Sequence, residues 1–435
     1  MRKGIVSVVV SVVAFFSQAV AVEQATVDGL VYQKIGDAAE LVRYSRSFAT
    51  ADLVIPETVE IAGTQCTVTK IADGAFRDCL QLASLSIPGT VTSIGNEAFN
   101  GCTGIVSLRL EKAEPADQPL VLGYSEATVT NIAFGYGLFH GLNVKNLYIG
   151  RKLSLGGNDS DVLPDTFGSN LEEIVIDYGG FCNVRDCSKF NYLYNRTMFQ
   201  SARGVKRLVI NTSRTDADAY APSGEGFLLL ENLEYLHLGE GYAGYSADHP
   251  FPVLPEMPAL ATLELSGSTE GLSSMCLVYV GNVIVNDGVT EIAPQSFRYS
   301  SKLTDLRLPA SVVKVGEMSM PSSLRELWCN AVTPPQADAD IFADEAAYAS
   351  CRLIVPEESV DMYADDSFGV WYKFDGGIVS GVDAVAADSS LVGEPVYAVD
   401  GRRVSTVVDP ANPTASLPAG VYIIGGRKLV VTHSR

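Results

Sequence analysis

The chain has 435 residues, of which 47 % are hydrophobic, and its 31 basic and 51 acidic side chains give a formal net charge of −20 at pH 7. This hydrophobic content is ordinary for a globular protein and argues against disorder, and the length allows one elongated array or about two to three compact domains. So negative a charge argues against nucleic acid or an anionic membrane as partner, and it is typical of a soluble, self-repelling surface.

The first 21 residues have the pattern of a secretory signal peptide. Arg2 and Lys3 form a positive start, residues 5–16 are apolar, and residues 19–21 are the small Ala-Val-Ala. The apolar run is shorter than the roughly 20 residues that span a bilayer, and no cysteine follows it to carry a lipid. We therefore expect an exported chain with a signal peptide at 1–21 and no membrane span in its mature part.

Residues 22–63 are predicted to form an N-terminal β cap. Two apolar runs within it, residues 29–32 and 53–56, have the composition of short strands. The segment precedes a repeat, and a stacked array needs such a cap because its first coil would otherwise expose core.

The chain then repeats itself with an offset of 23 residues. Residues 68–87 read VTKIADGAFRDCLQLASLSI and residues 91–110 read VTSIGNEAFNGCTGIVSLRL. The apolar positions coincide, and those of the first line are Val68, Ile71, Ala75, Phe76, Cys79, Leu82, Leu85 and Ile87. A fixed period of this length indicates a solenoid, in which each coil buries its apolar face against its neighbours.

Each line predicts the path of one coil. The alternation at its end is typical of a short strand with one buried face, and the Gly-x-x-Ala-Phe segment predicts a tight helical or 3₁₀ turn. One strand per coil, always in the same direction, predicts an α/β-type repeat solenoid. Its parallel β-sheet forms one face, and short helical or 3₁₀ turns form the other.

The repeat becomes irregular after residue 110 but does not stop. Insertions at 111–128, 178–194 and 211–226 lengthen the connections, yet five strand cores align with the first two, at residues 147–149, 174–176, 208–210, 236–238 and 263–265. Five apolar residues precede these cores by seven to nine positions, namely Phe139, Phe167, Phe199, Phe227 and Leu254. The sequence pattern does not define the coil boundaries between residues 111 and 282.

The regular pattern returns at Val289 and closes near Phe374. The closing elements are a turn around Phe342, a strand at 353–356 and a short helix at 357–364. The array is therefore expected to span residues 64–377.

The cysteines divide into two groups. Cys79, Cys102 and Cys329 occupy inward repeat positions, where a free cysteine behaves as a small hydrophobic residue. Cys182 and Cys187 lie in an insertion, close enough to close a small loop, so a disulfide and two thiols both remain open there.

No pattern in the sequence indicates catalysis, a cofactor or a metal. Residues 239–244 fit G-x-G-x-x-G, but a loop follows instead of the helix that a dinucleotide site requires. The acidic clusters at 158–161 and 338–340 lack the spacing of a calcium loop, and no histidine has a nucleophile or metal partner at a recognisable spacing. We predict no enzyme activity.

The repeat lines, written I-x-x-I-G-x-x-A-F-x-G-C-x-x-L-x-x-L-x-I-P, resemble the leucine-rich repeats of the BspA-like family of surface proteins. The closing TPP…F…LIVPEESVDMY…W…F resembles the way those arrays end, so the resemblance spans about residues 29–377, with departures in the middle. It implies a secreted or surface-attached bacterial protein that binds other proteins or host surfaces, without catalysis. The alternative is a carbohydrate-binding or carbohydrate-active surface protein built on the same array.

Residues 378–435 are predicted to form a small antiparallel β-sandwich with strands at 396–398, 401–404, 417–424 and 428–431. The pattern VY…DGRRV…LPAGVYII…GRKLVV resembles the C-terminal sorting domains of Bacteroidetes cargo exported through the type IX system. That resemblance implies a place on the outer-membrane surface or outside the cell. A plain end domain is the alternative.

Side chains that alternate with the inward pairs must point outward from the sheet. Aromatic and arginine side chains are the usual anchors of interfaces, and the outward positions predict a partner-binding face of Tyr148, Arg207, Tyr235, His237, Glu264, Arg307 and Trp328. We expect a monomer that binds a protein or glycan ligand across the middle and C-terminal strands. The alternative is a face that is merely solvated, since scattered exposed aromatics are normal.

Overall fold

The computed structural model describes residues 22–45, 50–116, 118–125, 136–139, 141–155, 166–177, 202–212, 231–241, 257–270, 272, 277–337, 339–374, 377–380, 396–398, 403–405, 420–424 and 427–431. The signal peptide, the Cys182–Cys187 loop, Cys276, the 158–161 cluster, Phe199, Phe227 and Leu254 lie outside the described residues.

Parallel strands, one from each coil, form one face of the array. Nine of them make a sheet, from Asp52–Val54 through Ser84–Ile87, Ser107–Leu110, Asn146–Ile149, Glu173–Ile176, Arg207–Thr212, Tyr235–Gly241 and Thr262–Leu265 to Asn282–Val285. Four more parallel strands continue the series, namely Asp305–Leu308, Glu326–Cys329, Arg352–Val355 and Ile378–Ser380. We call the outward surface of these thirteen strands the front face.

The register of the middle strands is the one that the sequence predicts. Leu108 is paired with Leu147, and the pairing continues through Ile174, Leu208, Leu236 and Leu263. Each of these six side chains is at most 1 % exposed. The predicted leucine-rich repeat solenoid with a parallel sheet is confirmed.

A second ladder runs behind the front strands. It starts with the antiparallel strands Gln24–Val27, Leu30–Ile35 and Ala38–Tyr44 and continues in parallel through Thr64–Ile71, Ser93–Ile94, Leu120–Leu122 and Leu153–Leu155. Thr58–Ile61 pairs antiparallel with Thr64–Ile71. Two short strand pairs also occur in the described part of the array, Tyr124–Ser125 with Tyr136–Gly137 and Glu291–Ile292 with Lys314–Val315.

The Gly-x-x-Ala-Phe segments fold as tight turns. At Gly95–Phe99, the backbone nitrogen of Asn100 donates to the oxygen of Glu97 at 3.1 Å, and that of Cys102 donates to the oxygen of Phe99 at 3.0 Å. These i to i−3 bonds have the spacing of a 3₁₀ turn, but neither turn extends into a regular helix.

Regular helices occur near the C-terminal end of the array. Among the described residues, the α-helices are Ala346–Ser350 and Val360–Ala364, and the 3₁₀ segments are Glu357–Ser359, Asp366–Phe368 and Val370–Lys373. The helix predicted at 357–364 is thus a 3₁₀ turn followed by an α-helical turn. Among the residues described, no helix has the length and hydrophobicity needed to span a bilayer.

An aromatic stack runs through the N-terminal core. The ring of Phe99 lies 5.1 Å from that of Phe76 and 5.4 Å from that of Phe139, both in stacked geometry. Tyr44 extends the stack at one end, 5.7 Å from Phe76, and Phe167 extends it at the other, 5.6 Å from Phe139. Each coil therefore packs one ring against the ring of the next coil.

The glycine of the I-x-x-I-G line is required by how closely the coils approach. A Cβ atom at Gly95 would lie 2.5 Å from the backbone nitrogen of Asp73 and 2.8 Å from the carbonyl carbon of Ala72 in the preceding coil. Contacts that short force the backbone to move, so a larger residue at this position would separate the coils.

Among the residues that the structure describes, one arginine is buried completely. Arg151 is 0 % exposed, and its Nη1 donates to the carbonyl oxygens of Pro88 at 3.2 Å and Val91 at 2.8 Å, while its Nη2 donates to that of Gln118 at 3.3 Å. Burial lowers the pKa of the guanidinium to about 10, so the group stays charged at neutral pH. The sequence pattern did not point to this residue, which ties an insertion to the regular coils.

Both ends of the array differ in detail from the prediction. Asp52–Val54, placed in the cap from the sequence, is the first strand of the front sheet. Ile378–Ser380 pairs in parallel with Arg352–Val355, so the sheet runs three residues past the expected end at 377.

The tail contains the expected antiparallel strands. They are Val396–Ala398, Arg403–Ser405, Gly420–Ile424 and Arg427–Val431. The described strands form one four-stranded sheet, so the second sheet that a sandwich requires is not among them.

The cysteines expected at inward positions behave as predicted. Cys79, Cys102 and Cys329 are buried thiols, as are Cys66 and Cys351. The Cys102 thiol donates to the carbonyl oxygen of Phe76 at 2.8 Å, which gives this buried thiol a partner in the preceding coil.

We predict that Phe99→Ala lowers the free energy of unfolding by about 3–5 kcal/mol, because it removes a fully buried ring from between two others. Denaturant unfolding measures the change. Leu80→Ala is the matched control, since Leu80 is 61 % exposed and its loss should change stability by no more than about 0.5 kcal/mol. A loss below about 1 kcal/mol for Phe99→Ala would contradict the coil register.

We also predict that Ser300→Cys stabilises the protein by about 1 kcal/mol. Ser300 occupies the repeat position of Cys79, it is 0 % exposed, and its hydroxyl lacks a hydrogen-bond partner among the described residues. Burial of a thiol costs less desolvation free energy than burial of a hydroxyl. Thermal unfolding of the variant tests this expectation, and a lower melting temperature would contradict it.

Candidate partner-binding face

The seven residues predicted for partner binding all lie at outward positions of the front strands. Each is half-buried rather than fully exposed, because neighbouring strands carry side chains in register. One other outward position departs from expectation. Val209 is only 4 % exposed, since its short side chain lies between the in-register neighbours Val175 and His237.

Three arginine–aromatic pairs recur along this face. The guanidinium carbon lies 3.9 Å from the ring centroid in Arg109–Tyr148, 4.0 Å in Arg207–Tyr235 and 4.1 Å in Arg307–Trp328. In each pair the two residues are directly opposite each other on neighbouring strands, with the arginine on the earlier one. Cation–π attraction therefore stabilises each arginine over a ring.

Carboxylates fix the first of these pairs. Arg109 Nε donates to Glu111 Oε1 at 2.7 Å, and the Tyr148 hydroxyl donates to Asp177 Oδ2 at 2.8 Å. Lys112 Nζ lies 2.8 Å from the same Asp177 oxygen. Burial, together with the hydrogen bond to Asp177, raises the pKa of Tyr148, so the phenol remains a donor.

The second pair belongs to a longer network. Arg207 Nε donates to Glu173 Oε1 at 2.8 Å, and the Tyr235 hydroxyl donates to Glu264. Burial alone would raise the pKa of Glu264, but the hydrogen bonds from Tyr235 and Asn286 outweigh it and lower the pKa. Glu264 is therefore a carboxylate at neutral pH.

His237 is linked to the same network through neighbouring polar side chains. Its Nε2 lies 3.1 Å from Ser266 Oγ. Asn286 Nδ2 donates to Ser266 Oγ at 2.9 Å and to Glu264 Oε1 at 2.8 Å, so this amide links the serine beside His237 to Glu264. Burial lowers the pKa of His237, and the charge of Arg207 adds to this effect against the opposing charge of Glu264.

The C-terminal end of the face is more apolar. Trp328 is paired with Ile354, and Ile354 with Val379. Ile354 is 2 % exposed although it points outward, whereas Val379 is 39 % exposed. An aromatic and aliphatic strip therefore continues from the third arginine–aromatic pair.

Sequence reasoning missed several residues that complete the networks. Glu111, Asp177, Ser266 and Asn286 follow the strand cores, where the alternation that marks outward positions no longer applies. Arg109 stood at an outward position but was not singled out. The recurring arginine one strand before an aromatic residue, at the same register, was the signal that could have identified it.

The described residues offer little sign of metal or nucleotide chemistry. Among the described residues, no group of three or more His, Cys, Asp or Glu side chains could hold a metal ion. Residues 239–241 of the rejected glycine motif continue the strand Tyr235–Gly241, and the rest of that motif lies outside the described residues.

The chain has sequence similarity to one protein family. The pattern of the BspA type leucine rich repeat region matches it in six copies, over residues 55–115 and 272–330. No curated protein is significantly similar to it in sequence.

Several solved structures are similar to the chain. They include a leucine-rich repeat protein from Bacteroides ovatus, with 16 % identity, covering 82 % of this chain and 99 % of that chain, TM-score 0.26. A leucine-rich repeat protein from Bacteroides capillosus is 21 % identical to this chain. The match covers 35 % of this chain and 98 % of that protein, with a TM-score of 0.26. The pneumococcal vaccine antigen PcpA is 12 % identical to this chain. The match covers 82 % of this chain and 98 % of that protein, with a TM-score of 0.23. The matched repeats and the parallel strands establish a leucine-rich repeat solenoid and support a BspA-like protein.

We predict that the His237 imidazole titrates below pH 6.5, the ordinary value for histidine. The pKa of His237 is lower in the folded chain than in the unfolded chain. At a pH between these two pKa values the unfolded chain binds more protons, so the free energy of unfolding decreases as the pH drops below about 6.5. NMR titration measures the midpoint, and His237→Gln assigns the resonance. A midpoint above 6.5 would contradict the burial of this side chain.

Proposed function

We propose that the front face is a protein-binding surface. The observation that carries the proposal is the threefold recurrence of an arginine stacked on an aromatic ring along one sheet face. Tyrosine, tryptophan and arginine are the residues that most often dominate binding energy at protein interfaces. Leucine-rich repeat proteins of this type generally have surface protein-interaction roles, which supports the assignment.

Preorganisation of the face strengthens the proposal. Glu111 and Glu173 hold the guanidinium groups of Arg109 and Arg207 in place. A partner that docks on them therefore loses little side-chain entropy, which is a main cost of binding.

A glycan ligand is the second candidate, and it has less support. Sugar rings stack on open aromatic faces, whereas an arginine covers one side of the rings of Tyr148, Tyr235 and Trp328. The polar strip around His237, Ser266 and Asn286 could hydrogen-bond a sugar, but these groups already satisfy one another.

The proposed setting is the outside of the cell. The pattern of residues 1–21 supports export, and proteins with BspA-type repeats are typically secreted or located on the cell surface. The tail at 378–435 would then serve as an end domain or a sorting domain.

The test combines Tyr235→Ala, His237→Ala and Trp328→Ala in one variant. Wild-type protein is first screened on arrays of purified extracellular proteins and of glycans, and its affinity for each hit is measured. We expect the triple variant to bind a protein ligand at least about tenfold more weakly, because truncation of a single interface anchor often lowers the binding free energy by about 2 kcal/mol.

The matched control replaces three exposed aromatic residues outside the front strands, Tyr279, Tyr299 and Tyr372, with alanine. These are 44 %, 56 % and 47 % exposed. The control should keep wild-type affinity, and circular dichroism should show both variants folded. Full affinity of the triple variant would move the site to the insertions or the tail, and hits confined to the glycan array would favour the second candidate.

A further inference from the structure

The first strand of the front sheet has a neighbour on one side only. Asp52–Val54 ends the nine-stranded sheet and pairs solely with Ser84–Ile87 within the described part of the chain. The Ile55 nitrogen donates to Ser86 across this pairing at 3.1 Å. Because backbone groups of successive residues point to opposite edges, the nitrogen of Val54 faces the free edge.

A cleft of about 430 Å³ lies along this free edge. Its apolar lining comes from Val27, Leu30, Leu53, Val54 and Val59. Val54 is 71 % exposed, although an exposed edge with an apolar side chain is the feature that proteins usually cover. The Thr50 hydroxyl donates to the Asp52 carbonyl oxygen at this edge at 2.7 Å, whereas the Val54 nitrogen has no hydrogen-bond acceptor among the described residues. The strand thus offers an unpaired backbone donor together with apolar surface.

The cleft is also acidic. Asp28, Asp52 and Glu60 line it, and none of its lining residues is basic. The Ser84 hydroxyl donates to Asp52 at 2.6 Å, whereas neither Asp28 nor Glu60 forms an ion pair with a residue that the structure describes. The negative charge here is therefore not neutralised locally, in contrast to the paired charges of the front face.

We propose that the Asp52–Val54 edge and its cleft form a second binding site, which takes an extended basic peptide as an added parallel strand. Strand addition supplies backbone hydrogen bonds for affinity and side-chain positions for selectivity. The carboxylates select a positive charge by complementarity. This site is separate from the front-face anchors of the proposed function.

The register of the sheet defines the sequence that fits. In a parallel addition, the residue opposite Asp52 faces the front beside a carboxylate, so lysine or arginine belongs there. The next residue lies opposite Leu53, which is 6 % exposed, and meets the apolar lining. The third lies opposite the exposed Val54, where β-branched neighbours pack well. The peptide that fits therefore has a basic residue, an apolar residue and a β-branched residue at three successive positions.

The experiment uses a fluorescent peptide, acetyl-Thr-Lys-Val-Val-Thr-amide, titrated with the full chain at low ionic strength. Fluorescence anisotropy should show saturable binding that weakens with added salt. A peptide with glutamate in place of lysine, and one with an N-methyl group on the central valine, should each bind roughly tenfold more weakly, because they lose the charge pairing or a backbone donor.

Val54→Pro is the decisive variant. Proline removes the backbone donor at the free edge without touching the hydrogen bonds to Ser84–Ile87, and edge strands tolerate it there. We expect roughly tenfold weaker binding. Val54→Thr, which keeps the donor and the β-branched shape, should stay within about threefold of wild type.

Three outcomes would overturn the proposal. They are no saturable peptide binding by the wild-type chain, unchanged binding by a folded Val54→Pro variant, and self-association of the wild-type chain that Val54→Pro abolishes. The last result, measured by sedimentation velocity, would assign the edge to a second copy of the chain. The triple front-face variant should bind the peptide like wild type, which separates this test from that of the proposed function.

Discussion

Stacking of one coil on the next is the constraint on which the rest of the structure depends. The rings of Phe76, Phe99 and Phe139 lie 5.1 and 5.4 Å apart, close to the spacing of neighbouring strands in a sheet. Rings at that distance and backbone hydrogen bonds between front strands can therefore be satisfied together. A coil that shifted by one residue would lose both, since its apolar residues would turn to solvent.

The same register that buries the core orders the front face. Because strands pair position by position, outward residues form rows along the array, and an arginine at one position meets whatever lies one strand later. Tyr148, Tyr235 and Trp328 each follow such an arginine. The order of side chains on the front face is thus a consequence of core packing.

Much of the fold could be predicted because its signal is local. The pair of buried residues in each strand survives in Leu208 and Ile210 and in Leu236 and Leu238 even where insertions change the period. Outward positions follow from alternation, so all seven predicted face residues lie on the front strands. Strand pairing, by contrast, is a property of two distant segments, and the arginine–aromatic contacts emerged only from the structure.

The features that sequence reasoning missed have physical reasons. Asp52–Val54 and Ile378–Ser380 end the array, and end strands bury only one flank, so the repeated spacing of apolar residues is not required of them. Arg151 reads as a surface residue because a charge is rarely buried. Its three carbonyl partners come from separate segments, and no local pattern reveals that. Val209 is hidden by neighbours in register, which alternation alone cannot predict.

The front face and the N-terminal edge differ in their local charge. On the face, arginines meet carboxylates on adjacent strands, as in Arg207 with Glu173 and Arg352 with Glu326. The face is thereby close to neutral locally although the chain carries a net charge of −20. The edge cleft keeps its carboxylates without basic neighbours. Fields from unpaired surface charges extend over a Debye length of about 8–10 Å, whereas stacked and paired groups act at contact. On the two proposals, the edge would attract a basic partner from a distance, whereas the front face would discriminate between partners at contact.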